Sequence, residues 1–150
     1  MRRYSFSSPL GPLTLCEESG RLSALLFEET PPSRLSQTPL LLEGKRQLTE
    51  YFGKDRTSFD LPLLIGETPF SRALFSALLT VPFGETVTYG ELAALSGFPR
   101  AARAVGNCLH TNPLPILVPC HRVVGATGLG NFAWGMEKKL FLMRLEGMDV

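Results

Sequence analysis

Short runs in which apolar and polar residues alternate open the chain: Arg3 to Phe6, Leu13 to Cys16 and Leu22 to Phe27, separated by Pro9-Leu10-Gly11-Pro12 and Glu18-Ser19-Gly20. Alternation with a period of two, broken by glycine and proline, predicts a β-meander. From Leu40 to Phe52 the apolar positions Leu41, Leu42, Leu48, Tyr51 and Phe52 are set among charges, which predicts one amphipathic helix packed on that sheet. Phe59 to Ile65 fits either a further strand or an extended linker. Residues 1–66 are therefore expected to form a small α/β domain, an antiparallel sheet plus a helix.

Beyond this point the pattern turns helical. Thr68 is placed to cap a helix with Pro69 at its first position, and Phe70, Ala73, Leu74, Ala77 and Leu78 keep a 3.6-residue rhythm until Pro82-Phe83-Gly84 stops it. Thr88 caps Tyr89 to Leu95, Ser96-Gly97-Phe98-Pro99 makes a turn, and Arg100 to His110 resumes helix. Two short helices around a glycine-containing turn predict a helix-turn-helix, a corner that also occurs purely as packing. A last helix, Gly135 to Gly147, turns Leu142, Met143 and Leu145 inward. Residues 67–150 are thus expected to be a mostly helical domain with a winged-helix-like helix-turn-helix, and the fold class is α+β.

Composition narrows the setting. With 150 residues, 44% hydrophobic and 19% charged, the chain can bury an ordinary globular core. Three cysteines, Cys16, Cys108 and Cys120, cannot all pair with one another, and no positively charged start followed by an apolar stretch reads as a signal peptide. A reduced cytoplasm is expected, and no apolar run is long enough to imply a membrane role. The net charge of +1 argues against a nucleic-acid partner until its distribution is read. Between Glu91 and Glu137 there is no acidic residue, yet Arg100, Arg103, Arg122, His110 and His121 fall there. Either this is a local positive surface that attracts phosphate, or it is a buried stretch that excludes acids. Within it, the small residues Ala101, Ala102, Ala104, Val105 and Gly106 surround one long Arg103. That pattern suits a helix entering a DNA groove with one probing guanidinium; it suits equally a close helix-helix contact with Arg103 solvated.

Chemistry concentrates at Pro119-Cys120-His121-Arg122, which closes the run Asn112-Pro113-Leu114-Pro115-Ile116-Leu117-Val118-Pro119. The prolines fix φ and push their predecessors into extended conformations, so the approach to Cys120 is stiff. A thiol is a strong nucleophile only as thiolate, which needs a positive charge, a base or a helix N-terminus nearby. Here all three are within reach, with Pro119 expected to open a short helical turn, so the sulfur is expected to be anionic. Glu146 lies one turn beyond Leu142 and Met143 and two beyond Lys139. On the margin of an apolar face its carboxylate either meets a buried donor, for which His121 is the choice, or lies exposed at a fraying helix end.

Taken together, Pro119-Cys120-His121-Arg122-Val123-Val124, Asn112-Pro113-Leu114-Pro115-Ile116, Arg103-Ala104-Val105-Gly106 and Pro82-Phe83-Gly84-Glu85-Thr86-Val87-Thr88-Tyr89-Gly90-Glu91-Leu92-Ala93 resemble the O6-alkylguanine-DNA alkyltransferase family. The resemblance runs through Glu146-Gly147, covering residues 68–147, with residues 1–66 alike only in general character. It implies single-turnover, irreversible transfer of an alkyl group from O6-alkylguanine, and more weakly O4-alkylthymine, in double-stranded DNA onto Cys120. By the same likeness His121 is the base acting through a water, since neighbouring side chains diverge too far for a direct bond. Glu146 orients the imidazole, Asn112 braces the turn, Lys139 favours the thiolate unless it is solvated, and Arg122 bridges by salt links inside the domain.

The target base must leave the stack. Arg103 resembles the family's arginine finger, filling the space the base vacates, while Tyr89 presses on the neighbouring phosphate and contacts the flipped base. Ala101, Ala102, Ala104 and Gly106 permit minor-groove entry. Backbone groups of Cys120, Val123 and Ala133 read the guanine edge, and Leu109, Pro115 and Trp134 wall the pocket. Ala133 stands where some members carry serine, and Trp134 is expected to limit large alkyl groups. Some members bind zinc in their N-terminal part; residues 1–66 hold one cysteine and no histidine, so no metal and no cofactor are expected. A monomer is expected. Two alternatives remain at this level: a cysteine hydrolase, which would turn over, and a non-catalytic DNA-damage sensor, whose known forms replace the cysteine that this chain keeps.

Overall fold

The computed structural model describes residues 2–31 and 36–150, and the chain divides into two compact units, residues 1–64 and 65–150. In the first unit, β1 (Arg2–Ser8), β2 (Gly11–Glu18) and β3 (Arg21–Leu26) form an antiparallel meander with β2 in the centre. Phe6 faces Leu13 and Leu15 faces Leu25, so one side of the sheet is apolar; a register irregularity falls between Cys16 and Glu17. Helix α1 (Pro39–Phe52) covers that side, its first turn capped by the Thr38 hydroxyl, which accepts from Leu41 N–H. Its inward stripe is Leu41, Gly44, Gln47, Leu48 and Tyr51, whereas Leu42, expected inside, is exposed. Gly44 has a packing reason, since a Cβ there would stand 2.7 Å from Leu15 Cδ1. The segment after α1 is extended rather than a full strand. It runs parallel to β3 through a single bridge, Leu22 to Leu63, and the buried Gln47 amide clamps both backbone groups of Asp60.

In the second unit, helices α2 (Pro69–Leu78), α3 (Tyr89–Leu95), α4 (Ala102–Leu109) and α5 (Met136–Leu145) surround a core of Leu74, Phe75, Leu78, Leu92, Val105, Leu114, Leu142 and Met143. Thr68 and Thr88 form capping boxes with Ser71 and Glu91, each side chain answering the other's backbone N–H. Helix α4 is shorter than its expected Arg100 to His110. Ala101 at its N-cap has no side-chain oxygen to accept a free N–H, and regular helix begins only at Ala102. Two short strands complete the unit: β4 (Val87–Thr88) pairs in parallel with β5 (Val123–Val124), Val87 facing Val123. This ladder joins the residues just after Arg122 to those just before α3, so the cysteine turn and the helix-turn-helix share one frame. None of the helices among the described residues is long and apolar enough to cross a membrane.

Candidate active site

The chain reaches Cys120 through a tightly tied loop. Asn112, buried, donates from Nδ2 to Val118 O (3.1 Å) and accepts at Oδ1 from Leu114 N–H (3.0 Å), closing the 113–118 segment on itself. Within it Ile116 adopts φ of 72°, a left-handed conformation that a β-branched residue takes only when its surroundings impose it. Cys120 N–H then donates to Val118 O at 2.7 Å and Arg122 N–H to Pro119 O at 3.0 Å. The result is a 3-10 turn over Cys120–Arg122, with Pro119 preceding it as the cap rather than opening it as the first helical residue.

This turn is buried, and burial overturns the expectation of a resting thiolate. Desolvation pushes the Cys120 thiol up to about 11, although a hydrogen bond from Asn112, the charge of Lys139 and a backbone N–H all act in the opposite direction. The resting sulfur at neutral pH is therefore a thiol, and a base has to take its proton when it reacts. Cys16 and Cys108 are also raised, mainly by desolvation.

A base stands next to it. His121 is wholly buried, and its Nε2 lies 2.6 Å from Glu146 Oε2. Burial alone would raise Glu146, but hydrogen bonds from His121 and Arg122 hold it well below the usual carboxylate range. An anionic Glu146 fixes the imidazole proton on Nε2 and leaves Nδ1 as a bare acceptor; Nδ1 is buried with no partner among the described residues. Burial keeps the imidazole below its ordinary pKa, Glu146 working against it and Arg122 and Lys139 with it. The neutral ring is thus ready to accept a proton. Of the two placements the sequence allowed for Glu146, the buried one is correct. Arg122 is buried too, bound to the same carboxylate and to Val81 O at 2.7 Å.

Lys139 is not solvated. It is fully buried on α5, donating from Nζ to Val123 O (2.6 Å) and Asn131 O (2.9 Å), and desolvation lowers its pKa to about 8 against the pull of Cys120. Asn131 is gripped from its other side by Tyr89, whose hydroxyl accepts from Asn131 N–H at 3.0 Å. Gly130 makes this closeness possible: at φ of 73°, a Cβ would sit 2.7 Å from the Tyr89 oxygen.

Above Cys120 lies a narrow cavity of about 10 Å³, lined by Tyr89, Gly106, Leu109, Ala133 and Trp134 among others. His110, Asn131 and Phe132 also line it and were not singled out for the pocket from sequence. Phe132 sits edge-on to Trp134 at 5.0 Å, an alternating aromatic pair that marks such a wall. Pro115 and Val123 lie outside this lining; both are buried, and the Val123 carbonyl is taken by Lys139. The cavity adjoins an open groove of about 370 Å³ formed by Tyr89, Ala102, Arg103, Gly106, Asn107, His110 and Asn131. On α4, Ala102, Arg103 and Ala104 are exposed, Ala101 and Gly106 half-buried. The acid-free window is part surface and part interior: Arg100, Arg103 and His110 face outward, while His121 and Arg122 are buried. Among the described residues no group of three or more His, Cys, Asp or Glu side chains is placed to hold a metal ion.

Comparison with known proteins covers nearly the whole chain. Residues 69–148 match the DNA binding domain of 6-O-methylguanine DNA methyltransferase, and residues 1–65 match its ribonuclease-like domain. The methylated-DNA--protein-cysteine methyltransferase of Methanosarcina acetivorans is 42% identical over 149 residues, spanning 95% of this chain and 96% of that protein. The constitutive methylated-DNA--protein-cysteine methyltransferase of Bacillus subtilis is 40% identical over 150 residues, 93% of this chain and 91% of that one. The crystal structure of Mycobacterium tuberculosis OGT in complex with DNA superposes with a TM-score of 0.87 at 40% identity, covering 97% of this chain and 92% of that one. With both halves matched in order and a buried Cys-His-Glu constellation beside a groove, the chain belongs to the 6-O-methylguanine DNA methyltransferase family.

Proposed function

We propose that the protein repairs DNA by direct reversal, moving the alkyl group of O6-alkylguanine, and less efficiently of O4-alkylthymine, onto Cys120 once and irreversibly. The observation that carries this reading is the juxtaposition of a buried cysteine, with a His121-Glu146 pair behind it, and an open groove bearing exposed Arg103. In the reaction the Cys120 proton passes through a water to His121 Nδ1. Sulfur forms a bond to the alkyl carbon while the C–O6 bond breaks; its electron pair stays on the base, which takes up one proton to become guanine. Lys139 supports the developing thiolate, and Asn112 holds the turn. Because the thioether has no route back, no cofactor enters and each molecule acts once.

The base reaches the sulfur by leaving the duplex. A cavity of about 10 Å³ has room for roughly one water, so the Asn131 to Trp134 wall must move aside for a purine. Arg103 replaces the extruded base in the stack, Ala101, Ala102, Ala104 and Gly106 let α4 lie in the minor groove, and Tyr89 presses on the adjacent phosphate. Leu109 and Trp134 wall the bound base and the backbone at Cys120 and Ala133 reads its edge, whereas Pro115 and Val123, which lie outside the cavity lining, take no direct part. The protein works as a monomer on double-stranded DNA in the cytoplasm, a setting supported by three unpaired cysteines.

Incubating the folded protein with duplex DNA containing O6-methylguanine should add one methyl group to the Cys120 peptide, mole for mole. A mass spectrum without that adduct, or restoration of many guanines in the duplex per protein molecule, rejects the assignment; the second outcome would instead favour a hydrolase.

A further inference from the structure

Arg122 directs its guanidinium at two partners. Nε and Nη2 donate to Glu146 Oε1 (2.9 Å) and Oε2 (3.0 Å) as a planar fork, and Nη1 donates to Val81 O at 2.7 Å. Gly84 N–H donates to Glu146 Oε1 at 3.0 Å, and the Phe83 ring lies 6.0 Å from the guanidinium carbon. The turn following α2 and the residue following His121 thus hold one carboxylate in a fixed plane, with Oε2 left facing His121 Nε2 at 2.6 Å. A buried ion pair of this kind is a poor source of net stability, because desolvating both charges cancels most of their attraction. What a rigid fork does supply is geometry and sign of charge. Glu146 is kept anionic and aimed, and a second positive charge on the imidazole is opposed.

We infer that Arg122 is a positioning residue for the alkyl transfer: acting through Glu146, it fixes the His121 tautomer and sets how readily Nδ1 takes a proton. This rests on the proposed role of Cys120 as alkyl acceptor. The charged and titratable groups facing the imidazole are Glu146 at the end of α5, Lys139 on α5, and Arg122 on its own turn. Of these, Glu146 favours the imidazolium, whereas Arg122 and Lys139 oppose it. Removing the Arg122 charge while keeping a hydrogen-bonding side chain should therefore make His121 easier to protonate and take it out of service as a base at higher pH.

The test uses the full chain with Arg122→Gln and Arg122→Lys. Single-turnover methyl transfer from O6-methylguanine duplex is followed from about pH 5 to 9, each rate being referred to the fraction of molecules that ends up methylated. For Arg122→Gln the rate constant at neutral pH should fall on the order of tenfold, and the midpoint of the acid-side decline should move up by about one pH unit. Arg122→Lys keeps the charge and loses the fork, so it should restore the midpoint but not the full rate. If both variants show a smaller methylated fraction with an unchanged rate constant and midpoint, Arg122 is only a structural brace and the inference fails. Should Arg122→Gln not fold, the ring-nitrogen NMR shifts of His121 in Arg122→Lys decide: they should show a tautomer mixture, and an unaltered Nε2–H tautomer at wild-type rate overturns the inference. Wild-type protein that accepts no methyl at all would instead defeat the reading of Cys120.

Discussion

Cys120 illustrates how a residue's chemistry is set by what buries it rather than by what flanks it in sequence. The neighbours His121 and Arg122 suggested an anionic sulfur, yet desolvation outweighs them and holds the thiol near 11. Reactivity is then a matter of timing, with proton removal coupled to attack, and Lys139 becomes the group that decides how costly the thiolate is. Its ammonium is charged below about pH 8 and neutral above. Replacing Lys139 with Met should slow transfer on the order of tenfold below that pH, about one unit of thiol pKa. Above it the gap to wild type should close, because the native lysine has by then lost its charge. Single-turnover rates across pH separate the possibilities. A gap that stays constant on both sides would mean that Lys139 matters only through the carbonyls of Val123 and Asn131. Lys139 was legible as a residue near the thiol but not as a buried one, since lysine in a mixed helical pattern reads as solvent-facing.

At the scale of elements, legibility followed the range of the interactions. Helices α2 and α3 start where Thr68 and Thr88 supply a local cap, a signal contained within four residues, whereas α1 was legible from its apolar rhythm and its Thr38 cap was missed. Strands β4 and β5, two residues each, escaped because their hydrogen bonds reach from Val87 to Val123 and no local period marks them. The same holds for Glu146 with Gly84, 62 positions apart. Helix α4 was legible as small residues around Arg103, although composition alone left open whether they faced DNA or another helix. Exposure of Ala102, Arg103 and Ala104 beside the groove favours the first. Arg103→Ala should therefore weaken repair of duplex DNA by tenfold or more while costing little on a free alkylated guanine, which needs no extrusion. Transfer rates on the two substrates provide the check, and equal losses would remove Arg103 from base flipping.

For the whole molecule, a net charge of +1 conceals a division between charges that face outward and charges that hold the interior. Arg100, Arg103 and His110 are outside; His121, Arg122 and Glu146 are inside within one network, and Lys139 is buried on the carbonyls of Val123 and Asn131. No composition rule separates the two sets, because arginine and histidine occur in both. The interior set has a consequence for stability that the exterior set lacks. Both His121 and Glu146 are held below their ordinary pKa, His121 by burial and Glu146 by His121 and Arg122 against burial. For each group the unfolded chain binds protons that the folded chain refuses, so stability rises with pH across the interval between the two values. Acidification should first penalise the fold below about 6.5, the unfolded value for histidine, as the unfolded imidazole protonates and the buried one does not. A second loss should begin below about 4.3, where unfolded glutamate protonates while Glu146 remains ionised. Thermal unfolding followed by circular dichroism should thus give a melting temperature that already declines between about pH 6.5 and 5, then declines more steeply below about pH 4 as surface carboxylates join. A flat melting temperature from neutrality down to about pH 5 would mean that His121 accepts its proton inside the fold at little cost. Below about pH 6.5 the network would then hold an imidazolium, with no free Nδ1 to receive the proton of Cys120.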